Sequence, residues 1–412
     1  MQAKLIGKLA AVPPWHLAIL LTLMASQIGC GLWTSVASSD TNRDIFFAQQ
    51  IASGAYFPLT GPNINSMLHL GPLWYYILAI ALLLIPNAAA VTGLMATISA
   101  LQFPLAYQLG RRFGCAREGL FFALALALPG WMAVSLASMT HSIAVVPSLL
   151  LGTFAALAYR DCPDFSRAVL VGLACLFMLT AHPTLVLLAA LLVLWCSLKT
   201  PDYRQWLSHG LIVLGVVALG FAPMLYEQWH DGFADAPATV RYTHSELSIP
   251  SPVKAGRLLY AILDFGPKYI TRFWLQFPPA PTHLLFSIYV LLLVAAGIGI
   301  ALRLIRQPEK RYLIGVLSGL LLVQSIFVCA IRTAMPPWMI YAQWPLIAAL
   351  VALGLEGICN NRAGKLFVSF GLATVTLWTF CTYTLLATGP LDHTEIKPSS
   401  GKIGAMDVRE YE

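Results

Sequence analysis

The sequence predicts an all-α fold, a polytopic transmembrane bundle of about eleven spans with interfacial helices in two outer loops. Three observations carry that prediction. Of the 412 residues, 58% are hydrophobic and only 10% charged, against roughly 45–50% and about 25% in soluble domains. Residues 119–159 contain no Asp, Glu, Lys or Arg; as one helix they would run to about 60 Å, twice the roughly 30 Å hydrocarbon core, so they form two spans. Mean hydropathy is +0.74 over the whole chain, which excludes an ordinary soluble enzyme and a disordered chain alike, because so much apolar surface must be buried.

Taken in order, the spans fall near 14–35, 91–110, 119–137, 142–159, 168–182, 184–198, 208–225, 283–302, 312–331, 338–356 and 366–388. The uncharged stretch divides at Ser138-Met139-Thr140-His141-Ser142, its only polar break. A second division falls at Ala181-His182-Pro183, where proline ends one helix and can start the next. Residues 71–86, GPLWYYILAIALLLIP, are too short for a crossing and suit an interfacial or re-entrant helix. Charge supports this. With 71–86 in the interface, Arg111, Arg112, Arg117, Arg160, Arg167, Lys199, Arg204, Arg303, Arg306, Lys310, Arg311, Arg362 and Lys365 share the side of Lys4 and Lys8. Were it to cross, those clusters would leave the cytoplasmic side.

The resulting topology places the N-terminus inside and the C-terminus outside. Fifteen Lys and Arg and six Asp and Glu then lie inside, leaving the outer face slightly acidic, so the net charge of +7 reads as cytoplasmic anchoring. No Lys/Arg cluster is dense enough to track a nucleic acid. The chain divides into a transmembrane module at 1–225 with a first outer loop at 36–90, a second outer loop at 226–282 with amphipathic helices, C-terminal transmembrane helices at 283–388, and an outer tail at 389–412. The first span is long enough to remain an anchor despite a weak cleavage-like Val36-Ala37-Ser38. The eight cysteines lack CxxC or metal-type spacing and read as small packing residues. There is no phosphate loop, HExxH or strand-linked GxGxxG, so a nucleotide-driven pump or a membrane zinc protease has no support.

Long loops among short ones point to function. The first outer loop brings Asp40 and Asp44 out of the membrane one turn apart on a helix over 40–53. Asp40 can cap that helix; alternatively, a carboxylate at the membrane surface serves as a general base toward an acceptor hydroxyl.

Several features here resemble the GT-C superfamily of polytopic glycosyltransferases, especially lipid A aminoarabinose transferases and protein O-mannosyltransferases. They are Ser39-Asp40 after the first span, Ala52-Ser53-Gly54 closing a short helix, the element His69-Leu70-Gly71-Pro72-Leu73-Trp74-Tyr75-Tyr76, the Tyr107-to-Arg112 span end, and an Ala/Leu-rich span containing Pro129. The likeness covers roughly residues 10–200, with the remainder matching in helix pattern. It implies a membrane glycosyltransferase, hexosyl or pentosyl, in a bacterial inner membrane with its active face outside. A sugar would move from a polyprenyl-phosphate donor to a hydroxyl of a glycolipid, polysaccharide or protein acceptor, with inversion. The first-loop acid would be the catalytic base; aligning on Gly54 favours Asp40, with Asp44 the other choice. Where the family has a second acid after the third span, this chain has Thr140-His141-Ser142, which argues against a metal held by two carboxylates. No cofactor and no protein metal site are expected, a divalent ion being the one addition left open.

The leaving phosphate needs cations or N–H donors. His69, His141, His182 and Arg332, each at the outer end of a span, are the candidates. Tyr75, Arg241, Arg257 and Lys268 are expected toward the acceptor and loop side, with Lys254, Arg272, Tyr242, Tyr260 and Trp274 nearby. Each has a plainer reading: Arg332 as an interfacial snorkeller, His182 and His141 as backbone-satisfied turn residues, Arg257 and Lys268 as flanks of a lipid-surface helix, the aromatics as an interfacial belt. Convergence of the set on one face favours the catalytic reading. The alternatives are a transporter or flippase, for which charged mid-span residues and internal repeats are lacking, a polysaccharide polymerase or ligase, and a non-catalytic scaffold.

Overall fold

The structure, a computed structural model, describes residues 12–34, 39–64, 68–127, 140–198, 202–233, 236–237, 240–241, 248–264, 279–331, 341–359 and 362–388. Within them the chain is a helical bundle, as predicted. The helices are α1 (Pro14–Thr34), α2 (Ser39–Ser53), α3 (Leu73–Leu84), α4 (Ala88–Ala100), α5 (Gln102–Phe113), α6 (Ala116–Leu126), α7 (Val145–Asp161), α8 (Phe165–Ala181), α9 (Val186–Ser197), α10 (Tyr203–Gly220), α11 (Ala222–His230), α12 (Pro252–Asp264), α13 (Pro279–Arg306), α14 (Pro308–Ala330), α15 (Trp344–Ile358) and α16 (Arg362–Thr388). Single 3-10 turns at His141–Ala144 and Pro183–Leu185 lead into α7 and α9.

A helix lies at each of the eleven expected spans, though the part of the third beyond 127 is outside the described residues. Five described stretches are long and apolar enough to cross a bilayer: Pro14–Leu32, Ala88–Phe113, His141–Asp161, His283–Arg306 and Pro308–Ala330. Phe165–Ala181, Pro183–Ser197 and Trp344–Ile358 are shorter apolar helices. Together they make an integral, multi-pass membrane protein. The seventh expected span is bent by 64° between α10 and α11. Pro223 in the first turn of α11 supplies no backbone N–H and its ring crowds the preceding turn, so the helix restarts in a new direction. The stretch 71–86 forms α3, whose 12 residues reach about 18 Å, well short of a crossing.

Local signals set several boundaries. Asp164 accepts from Arg167 N–H at 2.9 Å to start α8, and Asn87 accepts from Ala89 N–H to start α4. Gly54, at φ +73, ends α2: its N–H donates to Ile51 O and Ala55 N–H donates back to Gln50 O, a left-handed closure that favours glycine. One departure from the all-α expectation lies between α2 and α3, where Asn63–Ile64 and Leu68–His69 form a two-residue antiparallel pair with Asn63 opposite His69.

One contiguous apolar core joins the helices, with Trp74, Trp344, Tyr75, Tyr107, Tyr289, Phe103 and Phe122 its largest fully buried side chains. Helices approach most closely where glycines meet: a Cβ on Gly110 of α5 would sit 2.6 Å from Gly119 Cα of α6, and Gly299 of α13 lies against the Gly354 backbone of α15. In lipid, such contact replaces the hydrophobic drive that apolar solvent cannot give.

The charged clusters assigned to one side join at one end of this bundle. Arg112 pairs with Asp161, Arg117 with Glu356, and Arg303 and Lys310 both reach Glu118. The start of α2 and the break at His182 lie toward the other end.

Candidate active site

The site is built on α2, a helix of low mean apolarity that nonetheless buries Thr41, Arg43, Asp44, Ile45, Phe46, Phe47 and Ala48. It packs along α3, and Phe47 stacks on Tyr75 with ring centroids 4.8 Å apart. Burying an ionisable pair here requires every oxygen and N–H to find a partner. Asp44, with no exposed surface, has them: Arg43 Nε and Nη2 donate to Oδ1 at 3.1 and 2.8 Å, and Trp74 Nε1 donates to Oδ2 at 2.9 Å. Burial pushes the Asp44 carboxyl up to about 6, against the opposing pull of Arg43 and of the Trp74 hydrogen bond.

Arg43 has one more arm. Its Nη1 donates to Asp40 Oδ1 at 2.8 Å, and the Asp40 side chain is 53% exposed. The two carboxylates expected one turn apart are thus linked through a single guanidinium. Asp44 is buried and fully satisfied; Asp40 is half exposed. Arg43 also hydrogen-bonds Tyr75, so Tyr75, expected toward the acceptor, is buried and turned to the clamp. Asp40 lies inside the first turn of α2 rather than before it.

Two histidines face each other nearby. His141 opens the 3-10 turn before α7, His182 closes α8, and their rings stack at 6.1 Å with an interplanar angle of 11°. His182 Nδ1 accepts from Thr184 N–H at 3.3 Å and lies 2.9 Å from Thr184 Oγ1; in the neutral ring that leaves the proton on Nε2. His141 is buried and its Nδ1 has no hydrogen-bond partner. Arg43 lies within electrostatic reach of His141, which ties the pair to the α2 clamp.

His69 stands on the short hairpin, half-buried, opposite Asn63. That hairpin is seated by close contact: a Cβ on Gly71 would meet the Phe221 ring at 2.9 Å, and Gly61 N–H donates to Leu70 O. Only glycine lets the His69–Tyr76 element lie against the α10–α11 bend. Arg241 and Arg257 are exposed on helical surface. Lys254 of α12 bonds Ile331 O at the end of α14. Arg332, Lys268, Arg272, Tyr242, Trp274 and Pro129 lie outside the described residues, as does the tail 389–412. Among the described residues no three His, Cys, Asp or Glu side chains are grouped as a metal-ligand set.

The structure therefore brings together Asp40, Asp44, Tyr75, His141 and His182 and leaves Arg241 and Arg257 on exposed surface. Arg43 and Trp74, the groups that hold the first-loop carboxylates, were not among the expected site residues. The available signal was a charged Arg-Asp pair inside an otherwise apolar helical face.

No protein-family model matches the sequence, and no curated protein matches it. Solved structures do. ArnT from Cupriavidus metallidurans bound to undecaprenyl phosphate aligns over 92% of this chain and 77% of its own, at 13% identity and a TM-score of 0.58. The apo state of the same protein aligns over 93% and 76%, again at 13% and 0.58. The archaeal oligosaccharyltransferase AglB from Archaeoglobus fulgidus, in complex with an inhibitory peptide and a dolichol-phosphate, gives 14% identity and a TM-score of 0.48 over 91% of this chain and 55% of its own. The helical architecture and the alignment over nearly the whole chain agree on one point: this chain shares the fold of ArnT.

Proposed function

We propose that this protein is a membrane glycosyltransferase that moves a sugar from a polyprenyl-phosphate donor to a hydroxyl of an acceptor on the outer face, with inversion. Asp40 is the base. The observation that carries this reading is the Arg43 clamp, which ties the half-exposed carboxylate of Asp40 to a second, buried one. ArnT, whose fold this chain shares, is described with undecaprenyl phosphate bound, which supports a lipid-phosphate donor here.

In the proposed reaction Asp40 takes the acceptor O–H proton as the acceptor oxygen bonds to the anomeric carbon. The bond from that carbon to the phosphate oxygen breaks, and polyprenyl phosphate leaves with the electron pair. The base and the leaving group must lie on opposite faces of the sugar, so the reaction inverts. Arg43 keeps Asp40 in one orientation, and the ring N–H groups of His141 and His182, with His69 and Arg332, are the proposed donors to the departing phosphate. Tyr75 holds Arg43, and the cations of the second loop, Arg241, Arg257 and Lys268, face the acceptor.

Mass spectrometry of lipids co-purifying with the protein, set against the glycolipids lost on its deletion, tests the activity. A polyprenyl-phosphate sugar in the first and its glycosylated product missing in the second is the expected pairing; an unchanged glycolipid profile sinks the reading. Orientation has its own test. A cysteine at Ile249, which is 89% exposed, in a background freed of native cysteines, should react with an impermeant thiol reagent in intact cells. Labelling only after lysis would place the site on the inner face.

A further inference from the structure

The inner face of α14 carries one polar side chain that packing does not explain. The helix buries Ile314, Leu317, Gln324, Val328 and Cys329 at helical spacing, and Gln324, with no exposed surface, is the amide among them. Its Nε2 donates to Thr184 O at 3.0 Å. A carbonyl oxygen only accepts, so the amide must turn its NH2 group to Thr184, and Oε1 faces the interior. Among the described residues that oxygen has no hydrogen-bond partner. A hydrogen bond left unmade in apolar surroundings works against stability. As a fastening for α14, an apolar side chain of the same length would serve at least as well.

What Gln324 holds is the turn that orients His182. Thr184 is the middle residue of the 3-10 turn Pro183–Leu185. Its N–H reaches His182 Nδ1 at 3.3 Å, and its Oγ1 lies 2.9 Å from the same nitrogen. A backbone N–H only donates, so it keeps Nδ1 bare, and the neutral ring carries its proton on Nε2. A rotation of the turn that withdraws this N–H lets Nδ1 take the proton and donate to Thr184 Oγ1, leaving a lone pair on Nε2. The two tautomers thus offer opposite chemistry at the outer nitrogen, and a departing phosphate needs the donor. Beyond His182 the polar line continues. Its ring stacks on that of His141, whose Nδ1 has no partner among the described residues, and Arg43, which holds Asp40, is within electrostatic reach of His141.

We propose that Gln324 is a positioning residue for His182: by holding the Thr184 carbonyl from α14, 140 residues away in sequence, it fixes the ring in the tautomer that donates from Nε2. The inference rests on the reading in which His182 faces the departing phosphate.

The test uses the full-length protein carrying isotope-labelled histidine in lipid nanodiscs, read by nitrogen NMR, with His182→Gln to assign the ring. The wild-type His182 ring should carry its proton on Nε2 alone. Gln324→Met keeps the length and removes both the donor and the unpartnered oxygen; it should give a mixture of the two tautomers while the melting temperature holds or rises. Gln324→Glu, whose buried carboxyl keeps a proton to donate to Thr184 O, should restore the wild-type ring. In Gln324→Met, kcat should fall by about tenfold, the weight of one hydrogen bond to a charged group, with KM for the acceptor unchanged. Should that variant fail to fold, Gln324→Asn, one methylene too short to reach, should show the same mixture. A wild-type ring protonated on Nδ1 overturns the proposal, and so does a variant ring identical to the wild type. Mixed tautomers with undiminished transfer would uphold the hold of Gln324 on His182 and remove His182 from the transfer reaction, so the two readings fail separately.

Discussion

At the end of the bundle that holds Glu118, carboxylates meet cations across helices: Arg117 of α6 with Glu356 of α15, Arg303 of α13 and Lys310 of α14 with Glu118 of α6, Arg112 of α5 with Asp161 of α7. At the end that holds Asp44, one arginine serves two carboxylates of its own helix, and a stacked histidine pair keeps a buried nitrogen unpartnered. The first arrangement fastens elements far apart in sequence. The second joins neighbours in sequence and holds a carboxylate half out of the protein. The first set of pairs ties four helix pairings together; the second sets an exposed carboxylate beside a buried histidine pair, an arrangement suited to a ligand.

Substitutions at the two ends should break this comparison in opposite directions. Asp40→Asn should have the largest functional effect, lowering transfer by about 10²–10⁴-fold, the usual weight of a general base, while leaving the melting temperature unchanged because Asp40 is exposed. Retained activity would move the role to Asp44. Glu118→Gln should do the reverse. Its partner Arg303 is 6% exposed and would be left as a buried, unpaired cation, a loss of about 3–5 kcal/mol. A lowered midpoint in thermal unfolding, with normal turnover in the folded fraction, is the expected record; an unchanged midpoint would show that the pair fastens nothing.

Arg43→Lys sharpens the contrast further. Lysine keeps the charge but lacks the planar fork that reaches Asp44 twice and Asp40 once. Turnover should fall by about tenfold or more, since one hydrogen bond to a charged group contributes roughly 1.5–3 kcal/mol. The loss should appear in kcat rather than KM if Arg43 orients the base.

How much of this was legible beforehand follows from the range of each signal. Spans are written in contiguous hydropathy, and a helix stands at each. The expectation that 71–86 does not cross rested on length and on the charge clusters; its helix has 12 residues, and Arg112, Arg117, Arg303 and Lys310 meet carboxylates at one end of the bundle. The clamp was not legible. Arg43 and Asp44 are neighbours in sequence, and adjacent residues on a helix do not ordinarily face each other; their bond depends on α3 covering α2 and on Trp74, thirty residues away. The histidine pair joins positions 41 residues apart, a separation that no local pattern spans. The bend between α10 and α11 had its proline in plain view, but apolar residues on both sides of Pro223 read as one span.

The smallest expected effect isolates the clamp from the base it holds. Trp74→Phe keeps the buried ring and removes the N–H that bonds Asp44 Oδ2. An acceptor left unsatisfied in the interior costs about 1–3 kcal/mol, and the lost hydrogen bond had been lowering the Asp44 pKa, so the value rises further above about 6. Because burial already raises this carboxyl above its unfolded value near 3.8, its contribution to stability is fully present below that pH and fades as pH climbs through about 6. Activity should run the other way: as pH falls through about 6, protonated Asp44 loosens its hold on Arg43, which then no longer fixes Asp40 in one orientation. The wild type should therefore show an acid limb in kcat/KM near pH 6, and Trp74→Phe should move it upward. An acid limb that Trp74→Phe leaves in place would mean that the buried pair does not govern the base.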